Sequence, residues 1–170
     1  MRLKVMKKQN NSSMCFVCGM DNEASLRTKY YELENKSILG LFHGGKVHQS
    51  YPERMHGGII TALLDETIGR AIQINDINTF GVTVELTVKY LKPVPLDETL
   101  YCVGKITDSR KVLFYGEGYI SNTKGEILAR CNAKYMKQDV NKIVSGDHFI
   151  KEQWIYVADD ITPEFFELPE

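Results

Sequence analysis

The stretch from residue 54 to residue 71 constrains the fold of this chain more than any other part of the sequence. Its apolar side chains recur at spacings of three and four, the period of a helix with one face against a core. The positions on this face are Ile60, Leu64, Thr67 and Ala71, and the pattern continues to Ile74 just beyond the stretch. The predicted helix begins at Gly57 and Gly58, and its first backbone N–H groups are uncovered where the helix dipole favours negative charge. The stretch therefore offers an oxyanion site at its start and a carboxylate, Asp65, further along.

The oxyanion site and the carboxylate are too far apart to act on one group within a single copy of the helix. Gly57 and Asp65 are eight residues apart, which is roughly 12 Å at ~1.5 Å of rise per residue. A reacting carbonyl needs a donor and a base that each lie within about 3 Å. A second copy, antiparallel across a two-fold axis, would bring its Asp65 to the first copy's Gly57. The sequence therefore indicates a dimer with two equivalent sites.

The composition is that of an ordinary soluble domain. The chain has 170 residues, of which 43% are hydrophobic and 25% charged, and a net charge of −1. It is long enough for one core, and its charge gives no reason to expect nucleic acid as a partner. No apolar run suggests a transmembrane helix or a signal peptide, so no membrane partner is expected. Four scattered cysteines do not make a disulfide framework and favour the reducing cytoplasm.

Two strands are predicted before the helix and four after it. They cover residues 26–33, 37–43, 82–90, 100–107, 112–121 and 126–136. The strand at 82–90 has the strictest alternation, with an apolar side chain at every second position from Val82 to Tyr90. The connections at 108–111 and 122–125 are short enough for hairpins. This order predicts an α+β fold in which an antiparallel β-sheet wraps around one long central helix.

The two ends of the chain lie outside this arrangement. Residues 1–14 are basic and then polar, and we expect a flexible N-terminal arm. Residues 138–170 form an extension of unknown role beyond the predicted domain at 15–137. Its apolar side chains indicate that part of it packs on the domain, and its acidic end indicates a solvated face. The acidic residues are Asp159, Asp160, Glu164, Glu167 and Glu170.

A single Cys-x-x-Cys motif is formed by Cys15 and Cys18. A zinc site would need further ligands; His43 and His48 could complete a mixed site, and the other two cysteines stand alone inside predicted strands. No strand–helix context of the thioredoxin type surrounds the motif. The favoured interpretation is two small buried residues with no bound metal.

Several motifs resemble those of a known family. His56, Gly57 and Gly58, with Asp65 nine residues after the histidine, are similar to the HGG…D motif of hotdog-fold acyl-CoA thioesterases, in the phenylacetate-pathway-like branch. Three further segments resemble that family, at residues 15–19, 81–86 and 90–93. The resemblance covers roughly residues 15–137.

The resemblance implies a homodimer in which one continuous sheet cradles two antiparallel helices, commonly within a homotetramer. It implies that the Gly57 amide polarises the thioester carbonyl, while Asp65 of the second copy activates water or attacks the carbonyl itself. Relatives carry an asparagine six residues before the HGG histidine to hold the water or the thioester; here that position is Ser50, with Gln49 beside it. Thr83 stands where relatives place a hydroxyl near the acyl group. No cofactor is implied beyond the coenzyme A of the substrate.

Two neighbouring acids compete for the role of base. Asp65 shares its flank of the helix with apolar residues such as Ile68 and Ile72. Partial desolvation there raises the pKa of a carboxylate and makes it a better base. Glu66 stands four residues before Arg70, a spacing that favours an ion pair. Asp65 is therefore assigned the role of base and Glu66 a structural role.

One histidine and one basic hairpin complete the candidate residues. His56 is assigned mainly to closing the loop before the helix through its ring, with general-base catalysis as the alternative. Gly58 joins Gly57 at the substrate. Arg110 and Lys111 lie at a predicted hairpin, where they could hold the phosphates of a coenzyme A nucleotide or be solvated surface residues.

These residues favour a cytoplasmic thioesterase that hydrolyses an acyl-CoA or a similar thioester to a free acid and a thiol. Thiolate is a good leaving group, so a polarised carbonyl and a base suffice and no metal is required. Two alternatives remain open. One is a non-catalytic acyl-CoA-binding sensor or scaffold with the same cavity, against which the acid at the base position argues. The other is a hydratase or dehydratase on the same fold, whose expected motif is not matched here.

Overall fold

An antiparallel sheet of eight strands carries one long helix on its inner face in the computed structural model, which describes residues 1–144 and 148–169. The strands are β1 Arg2–Lys8, β2 Asn11–Ser12, β3 Lys29–Leu33, β4 Ile38–His43, β5 Thr79–Tyr90, β6 Thr99–Ser109, β7 Leu113–Asn122, β8 Ile127–Asp139, β9 Trp154–Ile155 and β10 Phe165–Glu167. The helices are α1 Gly57–Arg70 and α2 Val140–Ile143, with 3₁₀ segments at Lys46–His48 and Ala71–Ile74 and a π-helical turn at Phe149–Gln153. The large sheet has the order β10–β1–β3–β4–β6–β7–β8–β5, and β2 pairs separately with β9.

Helix α1 is the predicted central helix, and β3 to β8 are the six predicted strands in the predicted order. The buried residues of α1 are Ile60, Leu63, Leu64, Thr67, Ile68 and Arg70. The helix lies very close to the sheet at Gly104, where a Cβ would come within 2.9 Å of the Cα of Ile68. Only glycine allows this approach. Among the described residues, no helix is both long and apolar enough to cross a membrane.

The alternation predicted for β5 is wrong in its first half, because a β-bulge shifts the register against β8 between Thr83 and Glu85. After the bulge, Leu86 packs against the core under α1. Before the bulge, the exposed Thr83 side chain reaches Asp65 of α1, and Val82 is exposed as well. Val84, the residue at the bulge, is also exposed. The extra residue changes which set of alternate side chains points inward. The bulge therefore turns a polar residue of β5 toward the helix.

The N-terminal segment forms a strand instead of the flexible arm expected at residues 1–14. Strand β1 pairs with β3 on one side and with β10 on the other, and β2 pairs with β9. Leu3 and Phe166 belong to a second buried apolar cluster together with Leu39 and Val103. Because side chains alternate across a sheet, this cluster lies on the face opposite α1. The far end of the chain therefore supplies the partners that order its beginning.

The C-terminal extension contains a buried charge, so the prediction of a uniformly solvated acidic face is wrong. Asp159 accepts hydrogen bonds from the Lys8 ammonium and the Tyr31 hydroxyl, each at 2.7 Å. A charged partner makes its burial tolerable. The other described acids of the extension that were assigned to this face are exposed: Asp160, Glu164 and Glu167. Residues 145–147 and 170 of the extension lie outside the described residues.

Candidate active site

The start of α1 presents one free backbone donor. His56 occupies the N-cap position, where its Nδ1 accepts a hydrogen bond of 2.9 Å from the Gly58 amide, and its own amide donates to the His48 carbonyl at 2.9 Å. The Gly58 donor is therefore already used, and His56 makes the loop-closing contacts expected of it. Among the described residues the Gly57 amide has no acceptor. Only Gly57 of this pair can donate to a ligand, at the helix end where the dipole favours negative charge.

A cavity of about 400 Å³ opens beside Gly57. Ser50 and Tyr90 lie in its wall. The Tyr90 hydroxyl donates to the Gly57 carbonyl at 3.1 Å and lies 2.6 Å from the Thr61 hydroxyl, so it ties the first turn of α1 to β5. Gln49, next to Ser50, is exposed and is not part of this wall. We refer to this space as the Gly57 cavity.

The carboxylate of Asp65 lies two turns further along α1. The Thr83 hydroxyl donates to its Oδ1 at 2.8 Å, and the Tyr135 hydroxyl donates to its main-chain carbonyl at 2.8 Å. Burial raises the pKa of Asp65, and the hydrogen bond from Thr83 to the carboxylate opposes that rise only in part. A carboxylate with a raised pKa is a stronger base than an ordinary aspartate. Asp65 and Thr83, both predicted as site residues, are thus in direct contact.

A second cavity, of about 310 Å³, opens beside Asp65, and we refer to it as the Asp65 cavity. Thr83 and Tyr135 lie in its wall, together with Phe149 and Trp154 from the C-terminal extension. None of the described residues that line this cavity also lines the Gly57 cavity. In one copy of the chain, the free amide and the carboxylate therefore open into separate spaces.

Glu66 makes the ion pair expected from its spacing, because its Oε1 lies 2.9 Å from Nη2 of Arg70, whose side chain is 4% exposed. Two further contacts were not predicted. The Cys15 thiol lies 2.9 Å from Oε2 of Glu66, and the Cys18 sulfur accepts a hydrogen bond of 2.9 Å from Arg70. Both cysteines, interpreted from sequence as inert packing residues, line the Asp65 cavity.

The two histidines considered for a mixed zinc site lie elsewhere. The His48 ring is bonded to the Gly45 amide at 3.0 Å and to the Ala24 carbonyl at 2.9 Å, and His43 is exposed at the end of β4. Within the part of the chain that the structure describes, one group of potential metal ligands has three members: Cys15, Cys18 and Glu66.

Arg110 and Lys111 lie at the exposed tip between β6 and β7, outside both cavities. Nε of Arg110 lies 2.9 Å from Oδ2 of Asp108, so an acid already balances part of the charge at this tip. The structure therefore does not bring these two residues to either cavity of their own copy.

Two tyrosines that the sequence analysis did not single out hold α1 in place. Tyr90 bonds the first turn, and Tyr135 bonds the turn that carries Asp65 while stacking on Phe114 with 4.8 Å between ring centroids. Both residues fall in predicted strands, where the alternation of apolar and polar side chains indicates which residues face the helix. Their hydroxyl partners depend on the β5–β8 register, which the bulge sets.

The sequence of this chain is similar to those of thioesterase-family proteins over part of its length. Residues 53–129 match the model of the Thioesterase superfamily. An uncharacterised protein of Schizosaccharomyces pombe is 35% identical over 101 residues, which cover 58% of this chain and 54% of that protein. The acyl-coenzyme A thioesterase THEM4 of Mus musculus is 30% identical over 91 residues, covering 54% of this chain and 37% of that protein. The chain thus spans about half, or less, of the length of these relatives.

Solved structures with the same architecture include protein RHA08564 of the thioesterase superfamily, with a TM-score of 0.67 and 24% identity over 72% of this chain and 59% of that one. A hypothetical thioesterase of Streptococcus pneumoniae TIGR4, solved with coenzyme A, has a TM-score of 0.55 and 19% identity over 61% of this chain and 82% of that one. The chain therefore has the predicted hotdog fold, with the segment 53–129 matching the Thioesterase superfamily.

Proposed function

We propose that the protein hydrolyses an acyl thioester of coenzyme A to a free acid and a thiol, at sites shared between two copies of the chain. One observation carries this proposal: a single helix bears a free amide at Gly57 and, at Asp65, a carboxylate whose pKa is raised by partial burial, each open to its own cavity. The match to the Thioesterase superfamily supports it, because both groups lie inside residues 53–129. Further support comes from the mouse relative, an acyl-coenzyme A thioesterase, and from the Streptococcus pneumoniae neighbour solved with coenzyme A.

The chemistry follows from the two groups. The thioester oxygen accepts a hydrogen bond from the Gly57 amide, which stabilises the negative charge that develops as the carbonyl is attacked. Asp65 of the other copy takes a proton from the attacking water, or it adds to the carbonyl carbon itself. The carbon–sulfur bond then breaks and the thiolate leaves, taking up a proton. In the second route this step leaves a mixed anhydride with Asp65, and water then hydrolyses the anhydride to the free acid and restores the carboxylate. A preorganised donor of this kind stabilises a transition state by about 3 kcal/mol.

The free edge of the sheet supports a shared site. Among the described residues, β5 pairs only with β8, and its other edge is open over a strand of 12 residues. Val82 and Val84 on this edge strand are 38% and 53% exposed. A long open edge with apolar side chains is a template for another strand. Antiparallel pairing of two β5 strands continues the sheet and sets the two α1 helices side by side, so that each Asp65 faces the other Gly57.

A thiol-release assay tests the proposed activity directly. Short-chain, medium-chain, long-chain and aromatic acyl-CoAs are supplied, and the free thiol is measured with a chromogenic reagent. Phe80, Phe149 and Trp154 in the wall of the Asp65 cavity favour an apolar acyl group, and the resemblance to the phenylacetate-like branch adds aromatic ones. Release well above the spontaneous rate is expected for at least one class. Binding of these compounds without any thiol release would contradict the proposal and favour a non-catalytic binding protein.

The Gly57 amide can be removed without changing the start of the helix. Gly57→Pro is expected to lower the turnover number by about 10²–10³-fold, because it deletes the N–H that meets the oxyanion. Proline is favoured at the first helical position, and His56 before it already has the extended backbone that a following proline requires, with a ψ of 135°. Gly57→Ala is the matched control, since it keeps the amide and its Cβ would meet nothing closer than 3.6 Å. Equal losses in the two variants would contradict the role of the amide.

Charge reversal at the β6–β7 tip tests the proposed contact with coenzyme A phosphates. Arg110→Glu combined with Lys111→Glu is expected to raise the apparent KM for acyl-CoA with little change in turnover number. The two positive side chains that attract the coenzyme A phosphates are replaced by negative side chains that repel them. Steady-state kinetics measure both constants. The control is Lys124→Glu on the exposed turn between β7 and β8, which changes the charge of one residue by the same amount as each of these two substitutions. An unchanged KM in the double variant would remove Arg110 and Lys111 from the binding site.

A further inference from the structure

We propose that Cys15, Cys18 and Glu66 form a binding site for one thiophilic divalent metal ion, with Zn²⁺ as the expected occupant. Their donor atoms, two sulfurs and one carboxylate oxygen, all lie within 4.8 Å of one another. Ligands of one tetrahedral zinc ion lie about 3.5–3.8 Å apart, given Zn–S bonds of about 2.3 Å and Zn–O bonds of about 2.1 Å. Thiolates select zinc over the harder magnesium and calcium ions. This site is independent of the proposed thioesterase function.

Both sulfurs receive hydrogen bonds that favour the thiolate, the form that binds a metal. The Val17 amide donates to Cys15 Sγ at 3.3 Å, and the Ser12 amide donates to Cys18 Sγ at 3.3 Å. Arg70 adds a charged donor to Cys18 Sγ at 2.9 Å. A partly buried thiol at Cys15 and a buried thiol at Cys18 would need none of these donors if they served only packing. The local backbone is thus arranged around two sulfur acceptors.

The Glu66 carboxylate is oriented as a metal ligand with an outer partner. Its Oε1 is held by Arg70, through Nε at 3.0 Å and Nη2 at 2.9 Å. Its Oε2 is turned to the thiol side, 2.9 Å from Cys15 Sγ. Outer partners of this kind fix the direction in which a ligand points. Arg70 is itself fixed between two rings, with its guanidinium carbon 4.2 Å from the centroid of Tyr30 and 4.7 Å from that of Trp154.

The charge of the cluster formed by Cys15, Cys18, Glu66 and Arg70 balances with and without the ion. With both thiols protonated, the positive charge of Arg70 cancels the negative charge of Glu66. Zinc binding replaces two thiol protons by one divalent cation, so the net charge stays at zero. Arg70 neutralises the third anionic ligand, so the cluster carries no uncompensated net charge.

Three protein ligands leave one position of a tetrahedral ion open, and this position faces the Asp65 cavity, which all three ligands line. Water or a small donor from solvent completes the site. The ion would join the N-terminal segment that carries Cys15 and Cys18 to α1, the helix that carries Asp65. Metal binding is therefore expected to stabilise the fold as well as one wall of the cavity.

Metal titration of the 170-residue chain tests the site without any thioester. Protein freed of metal by a chelator under reducing conditions is titrated with Co²⁺. We expect one equivalent to bind with the near-ultraviolet absorption of a thiolate-to-cobalt charge-transfer band, and Zn²⁺ to displace it. Cys15→Ser and Cys18→Ser are expected to abolish the band. Glu66→Gln is expected to weaken Zn²⁺ affinity by at least about tenfold, a loss that even outer partners commonly cause. Cys102→Ala, which removes a buried thiol elsewhere in the core, is the control and keeps the band.

The wild-type titration decides the matter even if a variant fails to fold. Absence of the charge-transfer band in the reduced wild-type protein would overturn the proposal. The proposal would also be overturned if the reduced protein binds no Zn²⁺ and, on oxidation, Cys15 and Cys18 form a disulfide. A band that persists in both serine variants would also overturn it. Thiol release from acyl-CoA plays no part in these readouts, so failure of the metal site and failure of the proposed activity are separate results.

Discussion

Asp65→Asn is expected to lower the turnover number for acyl-CoA hydrolysis by about 10²–10⁴-fold, the range that a positioned base contributes. The amide has the shape of the carboxylate but neither its basicity nor its charge. Its Oδ1 can still accept the 2.8 Å hydrogen bond from Thr83, so the fold and the bulge of β5 are expected to remain. KM is expected to change little, because the substrate loses no binding contact that precedes the chemical step.

The matched control for this variant is Asp97→Asn. Asp97 is exposed and lies outside both cavities, and its left-handed φ of 58° is a conformation that asparagine tolerates well. Steady-state thiol release compares the two variants on the best acyl-CoA. Wild-type turnover in Asp65→Asn would remove the carboxylate from the mechanism, and an equal loss in Asp97→Asn would point to a general effect on folding.

Asp159→Ala is expected to lower the free energy of unfolding by about 3–5 kcal/mol, the usual cost of leaving a buried charge without its partner. The Lys8 and Asp159 side chains are only 2% and 3% exposed, and their charged atoms lie 2.7 Å apart. Lys29 Nζ lies 2.9 Å from the same carboxylate oxygen, and Tyr31 donates to the other. Without the carboxylate, the Lys8 ammonium keeps the Val157 carbonyl as an acceptor but has no opposite charge beside it, unless it leaves the interior. Urea unfolding at neutral pH measures the change.

The exposed pair of Arg2 and Glu167 supplies a control at the same end of the sheet. Its atoms lie 3.7 Å apart on side chains that are 63% and 74% exposed, and Glu167→Ala is expected to cost no more than about 1 kcal/mol. Similar losses in Asp159→Ala and Glu167→Ala would contradict the importance of burial.

The same ion pair has a defined pH dependence. Burial alone would raise the pKa of Asp159, but hydrogen bonds from Lys8, Lys29 and Tyr31 together lower it below its ordinary value of 3.8. A carboxyl whose pKa is lower in the folded state stabilises the fold above its ordinary pKa, and this contribution disappears as the pH falls through the lowered value. The gap in stability between the wild type and Asp159→Ala is therefore expected to be widest near neutral pH and to narrow in acid.

Local sequence patterns predicted the helices and strands whose apolar residues repeat regularly, and the contacts between residues that are close in sequence. The period of α1 and the alternation within β6 to β8 follow from which side of each element is buried. The Glu66–Arg70 pair follows from its spacing on one helix. The helical rise between Gly57 and Asp65 indicated separate half-sites, and the two cavities agree with it.

Contacts between distant segments could not be predicted in this way. The bulge of β5 has no signal in a run of valines and threonines that suits either face, yet it decides that Thr83 reaches Asp65. An acidic tail suggests solvent, and only the return of the chain to β1 buries Asp159 against Lys8. The meeting of a Cys-x-x-Cys motif with Glu66 likewise depends on how the N-terminal segment packs on α1.

Mixing two inactive variants tests the shared site most directly. Equal amounts of Asp65→Asn and Gly57→Pro protein are unfolded together and refolded, and thiol release is compared with each variant alone. If each site takes its amide from one copy and its carboxylate from the other, the mixture regains about a quarter of wild-type activity, because half of the randomly paired dimers are mixed and each has one intact site of two. A mixture as inactive as its two components, in dimers shown to contain both chains, would contradict the account.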